Sequence, residues 1–459
     1  SKHRLNSEIA EENYDKLILS PGAEPIRPPF EGNHLSRVFT LRNIPDTYRI
    51  KDYMQKYRPQ TAVVIGGGFI GLEMVENLMA QGVTTTIIEL ANQVLAPLDF
   101  DMASLVHRHL EDKGVSLMLE TSVDHIVEVD PSLLIYLNNK KIIETDMVVL
   151  AIGVKPDTQF LRSSGLALNA RGGILVNEHM QTSDSSIYAV GDAVEVIDFM
   201  AKKPTMIPLA GPANKQGRIA ANHIMGKSHR YQGTQGSAIV KVFDLTVAAT
   251  GLNEKTAIRY QLPYQKSFTN SASHASYYPR ASDMMIKTIF HPENGQILGA
   301  QIVGFDGVDK RADVLAVAIR HHLSAFDLTE LELHYAPPYS SAKDPVNMAG
   351  YVIDNILEKD VDIAHWHEVE TLMQQNKSVI LDVRDDDETA LGMIQGSVHI
   401  PLNQLRLNLD RLDKTIPILV VCRVGLRGYI ACRILKQHGF QCANLSGGYT
   451  LYRAIFPLK

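Results

Sequence analysis

Val63-Val64-Ile65-Gly66-Gly67-Gly68-Phe69-Ile70-Gly71 is a β-branched apolar run that meets a glycine cluster. The run opens at Gln60. From Leu72 to Met79 the pattern turns helical, and Thr84 to Glu89 is a second short strand. Strand, glycine turn, helix and strand within about thirty residues make a βαβ unit. The glycines stand as GxGxxG at Gly66, Gly68 and Gly71. In that spacing the first permits a tight turn, the second lets the backbone approach a pyrophosphate, and the third lets helix and strand pack closely. Phe69 and Ile70 lie between the last two, where free N–H groups at a helix start receive phosphate. Glu89 ends the next strand, eighteen residues after Gly71. A carboxylate there accepts hydrogen bonds from a ribose 2′-OH and repels a 2′-phosphate, so NADH is favoured over NADPH.

The chain around this unit has 459 residues, 45% hydrophobic and 21% charged, with a net charge of -6. That length suggests about three domains. The negative balance argues against a nucleic-acid or anionic-membrane partner, since both need a basic face. No run of apolar residues is long enough to suggest a membrane span. Ser1 to Glu12 is polar, without a signal core and without an initiator Met. The three cysteines, Cys422, Cys432 and Cys442, all fall near the C-terminus. They suggest a reducing, cytoplasmic setting rather than a disulfide framework, and no Cys/His spacing suggests a metal.

A second glycine–acid motif ends another strand, at Ile187-Tyr188-Ala189-Val190-Gly191-Asp192. Asp192 is placed to bond a ribityl hydroxyl while a following helix start faces phosphate; the plain alternative is a helix cap. Upstream, a short strand over residues 15–20 leads into the turn Pro21-Gly22-Ala23-Glu24-Pro25.

Ala151-Ile152-Gly153, the Asp192 motif and Leu209-Ala210-Gly211-Pro212 follow in the order found in the two-dinucleotide-fold flavoprotein disulfide reductases. Residues 14–357 most resemble coenzyme A-disulfide reductases and the related NADH-dependent persulfide reductases. The resemblance implies that Asp192 holds the FAD ribityl chain, that Leu209–Pro212 touches the flavin ring, and that Gly22, Ala23 and Gly153 lie near FAD. It also implies that Phe69 and Glu73 sit by the nicotinamide. The family's first GxGxxG and its redox cysteine are not in this sequence, so a front segment carrying both is expected before Ser1.

Residues 237–357 resemble the dimerisation domain of the same family. They carry Ser276-Tyr277-Tyr278-Pro279-Arg280 and His334-Tyr335-Ala336-Pro337-Pro338-Tyr339-Ser340. By spacing alone these tyrosines read as packing or surface residues. The resemblance makes Tyr277 and Tyr335 the pair that reaches a partner subunit's active site, with Tyr278 an alternative. Lys310 and Arg311 read as a surface helix-start pair or as contacts for coenzyme A phosphates.

Near the C-terminus the strand Ile418-Leu419-Val420-Val421 runs into Cys422-Arg423-Val424-Gly425-Leu426-Arg427-Gly428 and then a helix over Tyr429–His438. A cysteine between a strand end and a helix N-terminus faces inward N–H groups. Those groups, the helix dipole and Arg427 favour a thiolate or persulfide. With Leu381-Asp382-Val383-Arg384 before it and Leu445-Ser446-Gly447-Gly448 after it, this set resembles a rhodanese domain over 361–459, departing at Gly428 where Ser or Thr is common. Cys432 and Cys442 read as buried structural thiols.

The fold expected is α/β: a two-dinucleotide-binding-fold flavoprotein with an α+β dimerisation domain and a C-terminal α/β rhodanese domain. Its parts are a remnant of the FAD-binding domain at 1–60, an NAD(H)-binding domain at 61–152, the FAD-binding return segment at 153–236, and the two domains already given. The resemblance implies NADH-driven, FAD-dependent reduction of coenzyme A persulfide or polysulfide by a homodimer, with coenzyme A as substrate or ligand. Coenzyme A disulfide reduction, a flavin NADH oxidase, and a sulfurtransferase with a disabled flavin part are the alternatives.

Overall fold

The computed structural model describes residues 11–374 and 378–457. Most of the polar start and the last two positions of the C-terminal block lie outside them. Two compact units form. One joins the chain up to Arg58 with Val149–Gly236; the other joins Pro59–Val148 with the chain from Ser237 onward.

In the second unit the opening stretch folds as its pattern requires. Thr61–Ile65 pairs in parallel with Thr84–Ile88, which pairs in parallel with Ser116–Met118. Val63, Val64 and Ile87 are fully buried, as expected of β-branched residues covered on both faces of a parallel sheet. The helix spans Phe69–Ala80 and so begins directly on the glycine turn, three residues before Leu72. An antiparallel sheet of Val123–Val129, Ser132–Leu137 and Ile142–Thr145 was not foreseen. Its outward positions mix charged residues with exposed Val127, Val129 and Ile142, and its turns fall close together, which hides the alternation.

Next comes a five-stranded antiparallel sheet in the order Ala238–Val242, Leu245–Gly251, Ile297–Gly304, Asp283–Phe290, Gln265–Ala272. Helices Val308–Arg320 and Pro345–Leu357 accompany it. The C-terminal block is a five-stranded parallel sheet ordered Asp362–Ala364, Cys442–Leu445, Ile418–Val421, Val379–Asp382, Val398–His399. Helix Leu426–Gln437 follows its central strand.

A buried ionic cluster fastens these three regions into one unit. Lys287, with no exposed surface, lies 2.8 Å from Asp101 and 3.0 Å from Asp99, and also bonds Glu254. Glu254 takes a second lysine, Lys266, at 2.8 Å. Burial works to raise the Glu254 carboxyl, but Lys287 and Lys266 outweigh it and hold it at about 2. Burial works against the Lys287 ammonium too, but Asp101, Asp99 and Glu254 raise it above its ordinary range. From the C-terminal block, Trp366 donates its indole N–H to Asp101 at 3.3 Å and packs against Phe100 and Phe456. Phe268 N–H donates to Ser446 Oγ at 3.3 Å, and Arg108 Nε donates to the Ala454 carbonyl at 3.0 Å.

In the first unit, Leu17–Leu19 pairs in parallel with Ile187–Ala189, and Ala23–Pro25 pairs antiparallel with Val154–Pro156. Its long helix is Ala210–Ile224. Among the described residues no helix is long and apolar enough to cross a membrane.

Candidate active sites

The glycine turn after Thr61–Ile65 has the backbone geometry that a phosphate site requires. Gly66 has φ +109°, which a side chain would strain. At Gly68 no atom lies within 4 Å of the place a Cβ would take, so a ligand can approach the backbone. No side chain caps the helix at this end, and its first N–H groups keep their donor capacity. Gly67, which the motif leaves unassigned, is glycine for another reason: a Cβ there would lie 2.7 Å from Val94 Cγ1. Glu89 accepts the Gly67 N–H at 2.7 Å and the Ala91 N–H at 2.8 Å. Each carboxylate oxygen keeps a lone pair for a ribose hydroxyl. Gly71 is buried in the helix, while Phe69 and Ile70 are half-buried at its start. These residues fit NAD(H).

In the first unit the strand pair places Gly22 and Gly153 at neighbouring turns: Asp157 N–H donates to the Gly22 carbonyl, and Ile26 N–H to that of Gly153, each at 3.0 Å. Ala23 is buried in its strand. Asp192 does not precede a helix as expected. It sits in the single turn Gly191–Ala193, and the chain continues as strand Val194–Ile197, whose valines are buried. The helix beside it is a later one, Ala210–Ile224, capped by extended Leu209 with no side-chain bond. Gln216 of that helix, nine-tenths buried, accepts the Gly191 N–H at 2.8 Å. Burial raises the Asp192 carboxyl, and Arg42 opposes this. Arg42, which the sequence did not single out, also donates to the Pro21 carbonyl at 3.3 Å and pairs with Asp157 at 3.5 Å. A half-buried carboxylate, a cation and an uncapped helix start are the donor set that a ribityl chain and its ring need, so these residues fit FAD.

The two tyrosines singled out from sequence stand together. Tyr277 Oη lies 3.3 Å from Tyr335 Oη, and both side chains are well exposed in the single chain. Their loops are tied by Ala275 N–H, which donates to the carbonyls of Pro337 and Ser340. Arg311 locks the same junction. It is neither a surface residue nor a phosphate contact: it is 1% exposed and bonds Ser273 O at 2.9 Å, Ser340 Oγ at 3.0 Å and Asp344 at 2.9 Å. Lys310 reaches the His334 carbonyl at 3.4 Å. The Tyr277 hydroxyl is held protonated above its usual range, chiefly by the bond to Tyr335.

Cys422 follows the central strand of the C-terminal sheet and is buried. The Gly425 N–H donates to its Sγ at 3.0 Å, and Gly425 takes φ +118° to do so. Arg427 turns to Asp385 at 2.9 Å and Glu388 at 2.7 Å. Burial would lower its pKa, but the bond to Glu388 and nearby negative groups raise it. Arg423 pairs with Asp283 at 3.1 Å, which ties the cysteine loop to the strand that follows the Tyr277 segment. The departure at Gly428 has a cause: a Cβ there would lie 2.1 Å from Asn444 Oδ1. Cys432 and Cys442 are buried, and Cys442 Sγ lies 3.5 Å from the Cys432 carbonyl.

The family described as pyridine nucleotide-disulphide oxidoreductase matches residues 2–217, its dimerisation domain matches 237–345, and a rhodanese-like domain matches 365–455. An NADH oxidase of Methanocaldococcus jannaschii is 38% identical over 340 residues, covering 74% of this chain and 75% of that protein. The chain is a pyridine nucleotide-disulphide oxidoreductase. A coenzyme A disulfide reductase of Staphylococcus haemolyticus is 35% identical over 76% of the chain and 78% of that protein. Among solved structures, reduced Bacillus anthracis CoADR-RHD superposes with a TM-score of 0.95 at 49% identity, over 98% of this oxidoreductase and 81% of that chain. A NAD-dependent persulfide reductase from A. fulgidus gives 0.91 at 38%, over 99% and 82%. The oxidoreductase is therefore an FAD- and NAD(H)-dependent flavoprotein of the coenzyme A disulfide and persulfide reductase type, with a rhodanese domain at its C-terminus.

Proposed function

We propose that this oxidoreductase reduces coenzyme A persulfide with NADH, and that Cys422 loads the sulfur. One observation carries the reading: the cysteine loop and the Tyr277–Tyr335 pair belong to one compact unit, joined through Arg423 and Asp283.

In this scheme the Cys422 thiolate attacks the sulfane sulfur of a polysulfide and the shortened polysulfide leaves. The Gly425 N–H steadies the charge on sulfur. Coenzyme A thiolate then takes the outer sulfur, forming coenzyme A persulfide and freeing Cys422. NADH and FAD supply the two electrons that, with protons, split the persulfide into coenzyme A thiol and hydrogen sulfide. The tyrosine pair acts on the departing sulfur. One hydroxyl of the pair donates its O–H to the leaving thiolate while the other keeps the bond between them. Both hydroxyls are exposed in one chain, which suits a pair that completes the site of a second subunit in a homodimer.

The test is anaerobic NADH consumption with coenzyme A persulfide, or with polysulfide plus coenzyme A, for the protein and its Cys422→Ala variant. Sulfide release with persulfide in both, and loss in the variant only with polysulfide, is the expected result. No turnover with persulfide would overturn it. Coenzyme A disulfide reduction is the second reading, favoured by the Staphylococcus and Bacillus relatives. Turnover with disulfide alone would select it.

A further inference from the structure

The turn at Gly425 also rests on a side chain that belongs to neither the loop nor its helix. Asn444 lies in the neighbouring strand Cys442–Leu445 and is 7% exposed. Its Nδ2 donates to the Gly425 carbonyl at 3.0 Å, which also accepts the Tyr429 N–H at 2.9 Å. Gly425 is the residue whose own N–H meets Cys422 Sγ. Holding its carbonyl from two directions restrains the Gly425 backbone that carries that N–H. The other end of the amide, Oδ1, is buried without a partner and fills the space above Gly428. A buried, unbonded carbonyl is costly, so its persistence needs a compensating gain.

We propose that Asn444 is the positioning residue of the Cys422 loop and that Gly428 is its obligatory complement. The amide reaches in from the strand to occupy the place where a side chain at 428 would stand. Either arrangement supports the loop from that spot, but the two exclude each other. This rests on the reading of Cys422 as the sulfur-accepting thiol, yet it concerns only how that thiol is held.

The experiment compares the protein with Asn444→Ala, Gly428→Ser and the double variant. Alkylation of Cys422 by iodoacetamide is followed against pH by peptide mass spectrometry, and persulfide loading from polysulfide is measured alongside. Each single variant should move the midpoint of the alkylation profile to higher pH. Each should also slow the reaction at pH 7 about tenfold, the worth of one donor to a charged sulfur. The double variant should return to within about threefold of the parent, because the serine gains the room the amide gave up. A packing role alone would change unfolding without moving the profile. Single variants that keep the parent profile, or a double variant no better than the worse single for whatever cause, would overturn the pairing. An alkylation pattern as proposed with no persulfide loading in any variant would instead count against Cys422 as the sulfur acceptor.

Discussion

Two imidazoles make acid the direction of weakness. Burial holds His107 down to about 4, and its neutral Nε2 accepts the Val94 N–H at 3.2 Å. Burial, then Lys266, holds His365 down to about 3. Both are neutral in the fold and both start from 6.5, so the unfolded chain takes up protons first as pH falls. Their contribution is whole above about pH 7 and is lost progressively toward pH 4 and 3. Each tenfold difference in proton affinity between the folded and unfolded chain is worth about 1.4 kcal/mol, so roughly 3–4 kcal/mol is gone by about pH 5. Glu254, held at about 2, adds a loss below its ordinary 4.5. Lys287, raised above 10.5, keeps its full contribution below that pH and loses it as the pH rises from there through its elevated value. A urea midpoint flat from pH 7 to pH 4 would refute this assignment. Tyr277→Phe belongs to the same scale. The hydroxyl is exposed, so the melting temperature should hold while persulfide turnover drops about a hundredfold. A variant as fast as the parent would remove Tyr277 from the chemistry. Arg311→Met should cost about 3 kcal/mol, read by urea unfolding, because buried Asp344 loses its nearer cation and keeps Lys310 at 3.7 Å.

At the scale of elements, the glycine turn offers a clean separation of fold from function. Gly68→Ala meets open space at φ -78°, so it should melt like the parent but bind NADH about tenfold more weakly in a fluorescence titration. Gly67→Ala presses on Val94 and should cost about 1–3 kcal/mol of stability. Equal affinities for NADH in the parent and Gly68→Ala would deny the turn its role. This stretch was legible because strand, turn and helix each announce themselves within a few residues. The strand–cysteine–helix passage was legible for the same reason. What stayed hidden was whatever depends on a neighbour far along the chain. Asp192 reads like a helix start because glycine and aspartate are common there, and only the buried valines after it turn the chain into a strand. Arg311 looks like a surface cation until Asp344, Ser340 and Ser273 close around it. Asn444 has no signature, since its meaning comes from Gly425 and Gly428 on another element.

Across the whole molecule, blocks that stand apart in the sequence share one compact unit. Residues 59–148, the antiparallel sheet region and the rhodanese block form one compact unit. Trp366, half-buried, is one place where the last of these packs on the others. Trp366→Ala should cost about 1–3 kcal/mol, because the half-buried indole leaves Asp101, Phe100 and Phe456. Limited proteolysis should then cut faster between the helix Pro345–Leu357 and the strand Asp362–Ala364. Cleavage at the parent rate would mean that the indole fastens nothing. The Lys287 cluster has a bearing on modularity. A rhodanese block added to a reductase is easily pictured as a detachable cassette, to be deleted or grafted at will. Here the indole N–H that reaches Asp101 comes from the cassette, while the lysine and the carboxylates belong to its host. A chain shortened after Leu357 would open Phe100 and one wall of a charged core to water. Transplanting the block onto another reductase would require the recipient to offer an acid and an aromatic at matching positions. The fusion is thus written into the interior of both parts, and neither can be exchanged without redesigning the other.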